Sequence, residues 1–380
     1  MHKRRTRTPL DRAFLMLFTL LSVSILIAAC SSAPAAAPTQ APPAAAPAPT
    51  SAAAAPAPTT AAAAPAATAA PAAAPTQPPA VTLAPMTDVK PKKAYNIGFA
   101  NWSETISFCV SVRKGLEASA KKFGVNLMVM DNKGDVQQAN TNLDNAITQK
   151  VDFFYEYQSD PEANKKIAQR LTDAKMKSIA IQVAMPNYPF YVVDNVKGGQ
   201  VGGELLGKGA KAKFGDAAAK LLVIGIPESG PAFISRAEGA IKGVQQTYPN
   251  VSVTQASSKN DVNVTRQVVT DFLTANPTTK VMIWTHVDEQ ALAAQAAVKA
   301  ANRMNDAVIA SLGGEDILWP ELRSKDSIIL GTASFYPEKW GDDLIPLAIK
   351  WLDDGVVPPP VMNPPMAVVT KENVNQLYPQ

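Results

Sequence analysis

Cys109 and His286 are the one thiol and the one imidazole beyond Cys30. A nucleophilic pair needs both groups within hydrogen-bond reach and a third group to orient the base. These two fall in different halves of the repeat described below, and no orienting residue accompanies either. A lone cysteine beside Phe108 reads as a small buried hydrophobe. The chain has no Gly-x-Ser-x-Gly elbow, phosphate-binding loop or metal-ligand spacing. The glycines from Gly198 to Gly209 follow a strand but lack the spacing of a dinucleotide fingerprint. No catalysis, cofactor or metal is expected. Trp102 and Phe108 offer a different chemistry, because sugars present C–H faces that pack on aromatic rings. Phe108 has an equal claim to the core, whereas Trp102 stands in a polar run.

The elements that would carry these residues occupy only part of the 380-residue chain, which has room for about two domains once its N-terminal segments are set aside. The formal charge of +4 arises entirely from residues 1–29, where Lys3, Arg4, Arg5, Arg7 and Arg12 outweigh Asp11. Residues 31–87 carry no charged side chain, and the remainder is balanced. Nothing in that balance points to nucleic acid.

Residues 1–29 read as a secretory signal: a basic start, then an apolar run from Ala13 to Ala29 that is short for a membrane span. Its end, Leu26-Ile27-Ala28-Ala29-Cys30, resembles the bacterial lipoprotein box, which implies lipidation of Cys30. Two acyl chains would give stable anchoring where one would not. Residues 30–92 are then a lipidated, Ala/Pro-rich disordered tether with no means of forming a core. Extended at roughly 3.1 Å per residue, it would reach well over a hundred Å.

From Tyr95 the pattern alternates. Strands are predicted at 95–100, 125–130, 151–155 and 179–183, with amphipathic helices at 107–123, 135–149 and 161–174 between them. The stretch Tyr191 to Gly203 starts as a strand, breaks at Asp194-Asn195 and opens a glycine-rich helix. It reads as the first passage between two lobes. A similar series then begins again from Leu221, with strands at 221–225, 251–254, 281–284, 307–312 and 328–333, helices between them, a further helix at 337–352 and an edge strand at 367–369. Strands separated by helices imply right-handed crossovers and parallel, doubly wound sheets. Ligands in such folds bind beyond the carboxyl ends of strands.

Several segments together resemble the type I solute-binding proteins of bacterial ABC importers, in particular the ribose-binding-like sugar cluster. They are Phe108 to Gly115, Asp194-Asn195-x-x-Gly198-Gly199-x-x-Gly202, Arg236-x-x-Gly239, Leu273-Thr-Ala-Asn-Pro277 and Asp288-Glu-x-Ala-Leu-Ala293. The resemblance implies an α/β fold of two doubly wound parallel-sheet lobes joined by a three-crossing hinge. It places residues 93–195 plus 335–361 in one lobe and 196–334 plus 362–380 in the other. Asp194 and Asn195 are then hinge residues.

The same resemblance implies ligand-binding roles by position. Asp288 matches an aspartate that accepts hydroxyl hydrogen bonds, and could equally cap its helix. Gln182, Arg266 and Phe335 stand where relatives place polar or charged ligand contacts, so ribose itself is not the expected cargo. Gln158 is a possible replacement contact, as are Glu104, Tyr157, His286 and Glu315. The function implied is capture of a small sugar or polyol by an exported monomer, lipid-anchored at the outer face of the cytoplasmic membrane, for an ABC permease and its ATPase. A signalling receptor, or an importer component for a nucleoside, amino acid or autoinducer-like molecule, is the alternative.

Overall fold

The computed structural model describes residues 79–380. The predicted signal at 1–29, the lipidation site Cys30 and the tether up to residue 78 lie outside the described residues. The last part of the predicted tether does not behave as one. β1 (Val81–Thr82) pairs in parallel with a strand near the C-terminus, at Val81↔Met362 and Thr82↔Asn363. Leu83, Met86 and Val89 pack, half-buried, against the main core. Lys92 Nζ meets Asp354 at 2.9 Å. Apolar residues three apart among prolines do not show the alternation of a strand, so composition hid this segment.

The alternation then runs as the periodicity predicts. β2 (Asn96–Asn101) leads into α1 (Ser107–Phe123), which ends where Gly124 takes a left-handed φ of 70° that leaves its N–H free to close the last turn. β3 (Asn126–Asp131), α2 (Val136–Thr148), β4 (Phe153–Tyr157), α3 (Pro161–Asp173), β5 (Lys177–Ile181) and β6 (Phe190–Tyr191) follow. Asp135 and Asp160 cap α2 and α3 by accepting first-turn N–H groups. Next come α4 (Asn195–Phe214), β7 (Ala219–Gly225), α5 (Pro231–Gln245), β8 (Ser252–Ser257), α6 (Val262–Ala275), β9 (Lys280–Thr285), α7 (Asp288–Ala300), β10 (Ala307–Gly313), α8 (Trp319–Arg323) and β11 (Ile329–Ser334). α9 (Trp340–Asp354), β12 (Val361–Asn363), β13 (Ala367–Thr370) and α10 (Val374–Leu377) complete the chain.

Two sheets result, in the orders β1-β12-β6-β5-β4-β2-β3 and β13-β11-β10-β9-β7-β8. All pairings are parallel except β13 on β11. Central strands such as β4 (Phe-Phe-Tyr-Glu-Tyr) are buried along their whole length because helices cover both faces. The chain passes between the sheets at 192–194, 335–339 and 364–366. The lobe boundary read at residue 361 therefore falls inside β12. The crossing comes after Asn363, where Pro364 and Pro365 cannot donate to a ladder and the strand stops.

α4 and α5 touch almost backbone to backbone. A Cβ on Gly199 would sit 1.9 Å from the Arg236 carbonyl oxygen, and one on Gly203 would sit 2.1 Å from that of Ala240. Gly239 and Gly243 face back at similar range. This close seam brings Arg236, on α5, beside the first crossing.

Candidate ligand-binding cleft

The carboxyl ends of the strands from both sheets supply buried polar groups. Asn101 closes β2: its Nδ2 donates to Glu104 at 2.7 Å and to the Cys109 carbonyl at 3.2 Å, and its Oδ1 has no partner among the described residues. Gln158 follows β4. Its Oε1 accepts the Ser159 N–H at 2.8 Å, and its buried Nε2 is unpartnered. His286 follows β9 and is buried, with neither ring nitrogen bonded. Burial, reinforced by the nearby Arg236 cation, pushes the His286 pKa down to about 3. The ring is neutral and offers one donor and one acceptor.

Glu315 lies beyond β10, on a turn in which Gly313 and Gly314 adopt φ of 141° and 88°. Asp288 at the start of α7 holds that turn. Its Oδ2 accepts the N–H groups of Gly314 and Glu315, each at 2.7 Å, and its Oδ1 accepts from Ser311 Oγ. The Glu315 carboxyl is thereby aimed across the lobes, where Oε2 accepts from Ser107 Oγ at the start of α1 and Oε1 is left unpartnered. Burial first, then the adjacent Asp288 charge, raises the Glu315 pKa well above the usual carboxylate range. Arg236 completes the group. Its Nε and Nη2 donate to Asn195 Oδ1 at 2.9 and 2.7 Å, and its Nη1 donates to the His286 carbonyl at 3.0 Å. Burial lowers its pKa to about 10, which leaves it charged at neutral pH.

The residues singled out from sequence divide. Trp102 is half-buried and lines a cavity of about 440 Å³ where loops of both lobes meet. Gln158 is in the buried polar set. Asp288 is not a free acceptor: its carboxylate is occupied by the turn it holds. Phe108 belongs to the core, edge-on to Trp340 at 5.3 Å. Phe335 is core as well, wedged under α4 so closely that a Cβ on Gly198 would fall 2.5 Å from its Cζ. Gln182 is half-buried at a φ of 66°, with its N–H on the Tyr191 carbonyl. Arg266 is exposed and bonds Asn263 Oδ1, one turn back on its own helix, at 2.8 Å. Of the two residues at the first crossing, Asp194 caps α4 through the Lys197 N–H at 3.0 Å and Asn195 holds Arg236.

His286, Glu315 and Tyr157, named above as possible replacements, lie close to Arg236. Glu104 instead pairs with Arg113 at 2.8 Å. Asn101 and Ser107, which belong to this polar group, were not singled out from sequence, and Arg236 entered only through its motif. A polar residue closing an otherwise apolar strand was the available signal for Asn101. Cys109 is fully enclosed, and burial pushes its thiol up to about 12, so it is no nucleophile at neutral pH.

Residues 97–355 match the family described as a periplasmic binding protein domain, and the chain belongs to that family. The ribose import binding protein of Bacillus subtilis (strain 168) is 26% identical over 293 residues, spanning 72% of this chain and 88% of the relative. That of Salmonella typhimurium is 26% identical over 250 residues, 64% of this chain and 80% of the relative. Among solved structures, an ABC transporter periplasmic solute binding protein from Actinobacillus succinogenes 130z with bound D-allose superposes with a TM-score of 0.67 at 22% identity, covering 74% of this chain and 99% of that one. The Caulobacter myo-inositol binding protein bound to myo-inositol gives 0.63 at 20% identity, covering 76% and 97%. The fold is that of the type I periplasmic binding proteins, two lobes with a cleft between them.

Proposed function

We propose that the protein captures a neutral sugar or polyol between its lobes and delivers it to an ABC permease driven by its ATPase. The observation that carries this reading is a group of buried polar atoms at or just beyond the strand ends, without partners among the described residues: Asn101 Oδ1 and Gln158 Nε2 from one lobe, His286 and Glu315 Oε1 from the other. Unpaired buried polar atoms cost roughly 1–3 kcal/mol each, so a ligand with hydroxyls on several faces would recover much of that. A neutral imidazole and a carboxyl whose burial disfavours its charge suit hydroxyls better than a charged ligand. The relatives' names, ribose import binding proteins, support the same class of cargo. Binding rather than catalysis is the role we assign, with Cys109 inert. Export and lipid anchoring through Cys30, and hinge motion about Asp194 and Asn195, complete the reading.

A thermal-shift screen against monosaccharides, polyols, nucleosides and amino acids tests it. A ligand at a hundred times its Kd should add about 2.7 kcal/mol of stability and raise Tm by several degrees. The expected result is a shift with a sugar or polyol that Glu315→Ala abolishes. Shifts with nucleosides or amino acids alone would overturn the sugar reading and leave the binding protein intact.

A further inference from the structure

We infer that the cleft has an outer compartment and that its cargo is two linked sugar units rather than a single ring. This rests on the sugar reading above and extends it. The unpartnered atoms of Asn101, Gln158, His286 and Glu315 form the inner set. The cavity of about 440 Å³ shares no residue with them. Its volume falls within the range of about 300–1,000 Å³ typical of small-ligand sites.

Trp102, Ile106 and Gly134 line the cavity from one lobe, and Asn260, Asn263 and Glu289 line it from the other. The two compartments adjoin through the chain itself. Ile106 precedes Ser107, which donates to Glu315, and Glu289 follows Asp288, which holds the Glu315 turn.

The outer lining has the chemistry of a second sugar ring. Trp102 provides an aromatic wall against C–H faces, and the amides of Asn260 and Asn263, the carboxylates of Asp261 and Glu289 and the Lys133 ammonium offer partners for hydroxyls. Gly134, at a φ of 66°, lies beside the indole: a Cβ there would make ordinary van der Waals contact with Trp102 Cζ2 at 3.5 Å. Because both lobes line the compartment, a ligand filling it is held only when they meet, so a disaccharide gains contacts in the closed state that a single ring lacks.

Calorimetric titration of the purified protein with D-glucose, D-galactose and D-xylose, and with maltose, lactose and xylobiose, tests the inference. One disaccharide is expected to bind at least tenfold tighter than either of its component sugars. Trp102→Ala, and separately Asn263→Ala at an exposed position, should each bring that ratio down towards one, with Tm confirming that the fold survives. A component sugar that binds as tightly as its disaccharide would overturn the outer compartment, as would a ratio that persists in both variants. In either case a monosaccharide is still captured and the proposed function stands. Binding of no sugar of either size would overturn the sugar reading and this inference with it.

Discussion

Asp288 and Glu315 show how two carboxyls of one site divide their work. Asp288 accepts two backbone N–H groups and a hydroxyl, so its charge stabilises a turn built on two left-handed glycines. Glu315, carried by that turn, faces the other lobe. From sequence the acceptor role fell on Asp288, because the chain does not reveal which backbone groups will fold back onto it. A third carboxyl, Glu156 on β4, is fully buried, with Oε1 accepting from Asn132 Nδ2 at 3.2 Å and Oε2 unpartnered. Burial raises its pKa from an ordinary 4.5 to about 8. The unfolded chain releases this proton first. The stability Glu156 contributes is therefore full below pH 4.5 and is lost as pH rises to about 8, a change on the order of a few kcal/mol. His286, lowered from 6.5 to about 3, has the opposite slope below pH 6.5, whereas Glu315, also raised, slopes the same way, so the Glu156 share is read between pH 6.5 and 8 as the difference between native protein and variant. Denaturant titrations across that window should show stability falling with pH in the native protein and falling less steeply in Glu156→Gln. An unchanged slope in the variant would rule out this protonation.

At the scale of elements, the seam between α4 and α5 is the least forgiving contact. Gly203 faces the Ala240 carbonyl at a distance no side chain can share. Gly203→Ala must push the helices apart, at a cost of about 1–3 kcal/mol or more, and should lower Tm by several degrees. A native-like Tm would show that the two helices can part at little cost. The glycine pattern of α4 was visible in sequence as a demand for close approach, but its partner was not, because Gly239 and Gly243 meet it only through the tertiary fold. α1 was legible end to end, from its amphipathic spacing and from Gly124. β1 was not, since a two-residue strand has no periodicity to read. It exists because the edge of β12 offers unpaired backbone groups.

For the whole molecule, β1 and the residues up to Lys92 form a strap across the first lobe. They join the incoming chain to β12, the strand that leads into the third crossing. Removing residues 79–92 should lower Tm by a few degrees through loss of the apolar packing of Leu83, Met86 and Val89, whereas Lys92→Ala should change it little, because its ion pair is largely exposed. Equal effects from the two changes would assign the strap's contribution to charge instead. The alternation of strands and helices, their handed crossovers and the repeat of the pattern after Gly203 are local properties, so the amino-acid sequence alone determined a two-lobed α/β clamp. The lining of its cleft depended on which side chains find partners at the strand ends. Phe108 and Phe335 went to the core, Asp288 to a turn and Arg266 to solvent, while Asn101, Gln158, His286 and Glu315 were buried with atoms unpaired. Only the tertiary structure decided that, because burial and hydrogen-bond satisfaction are set by contacts between residues far apart in the chain.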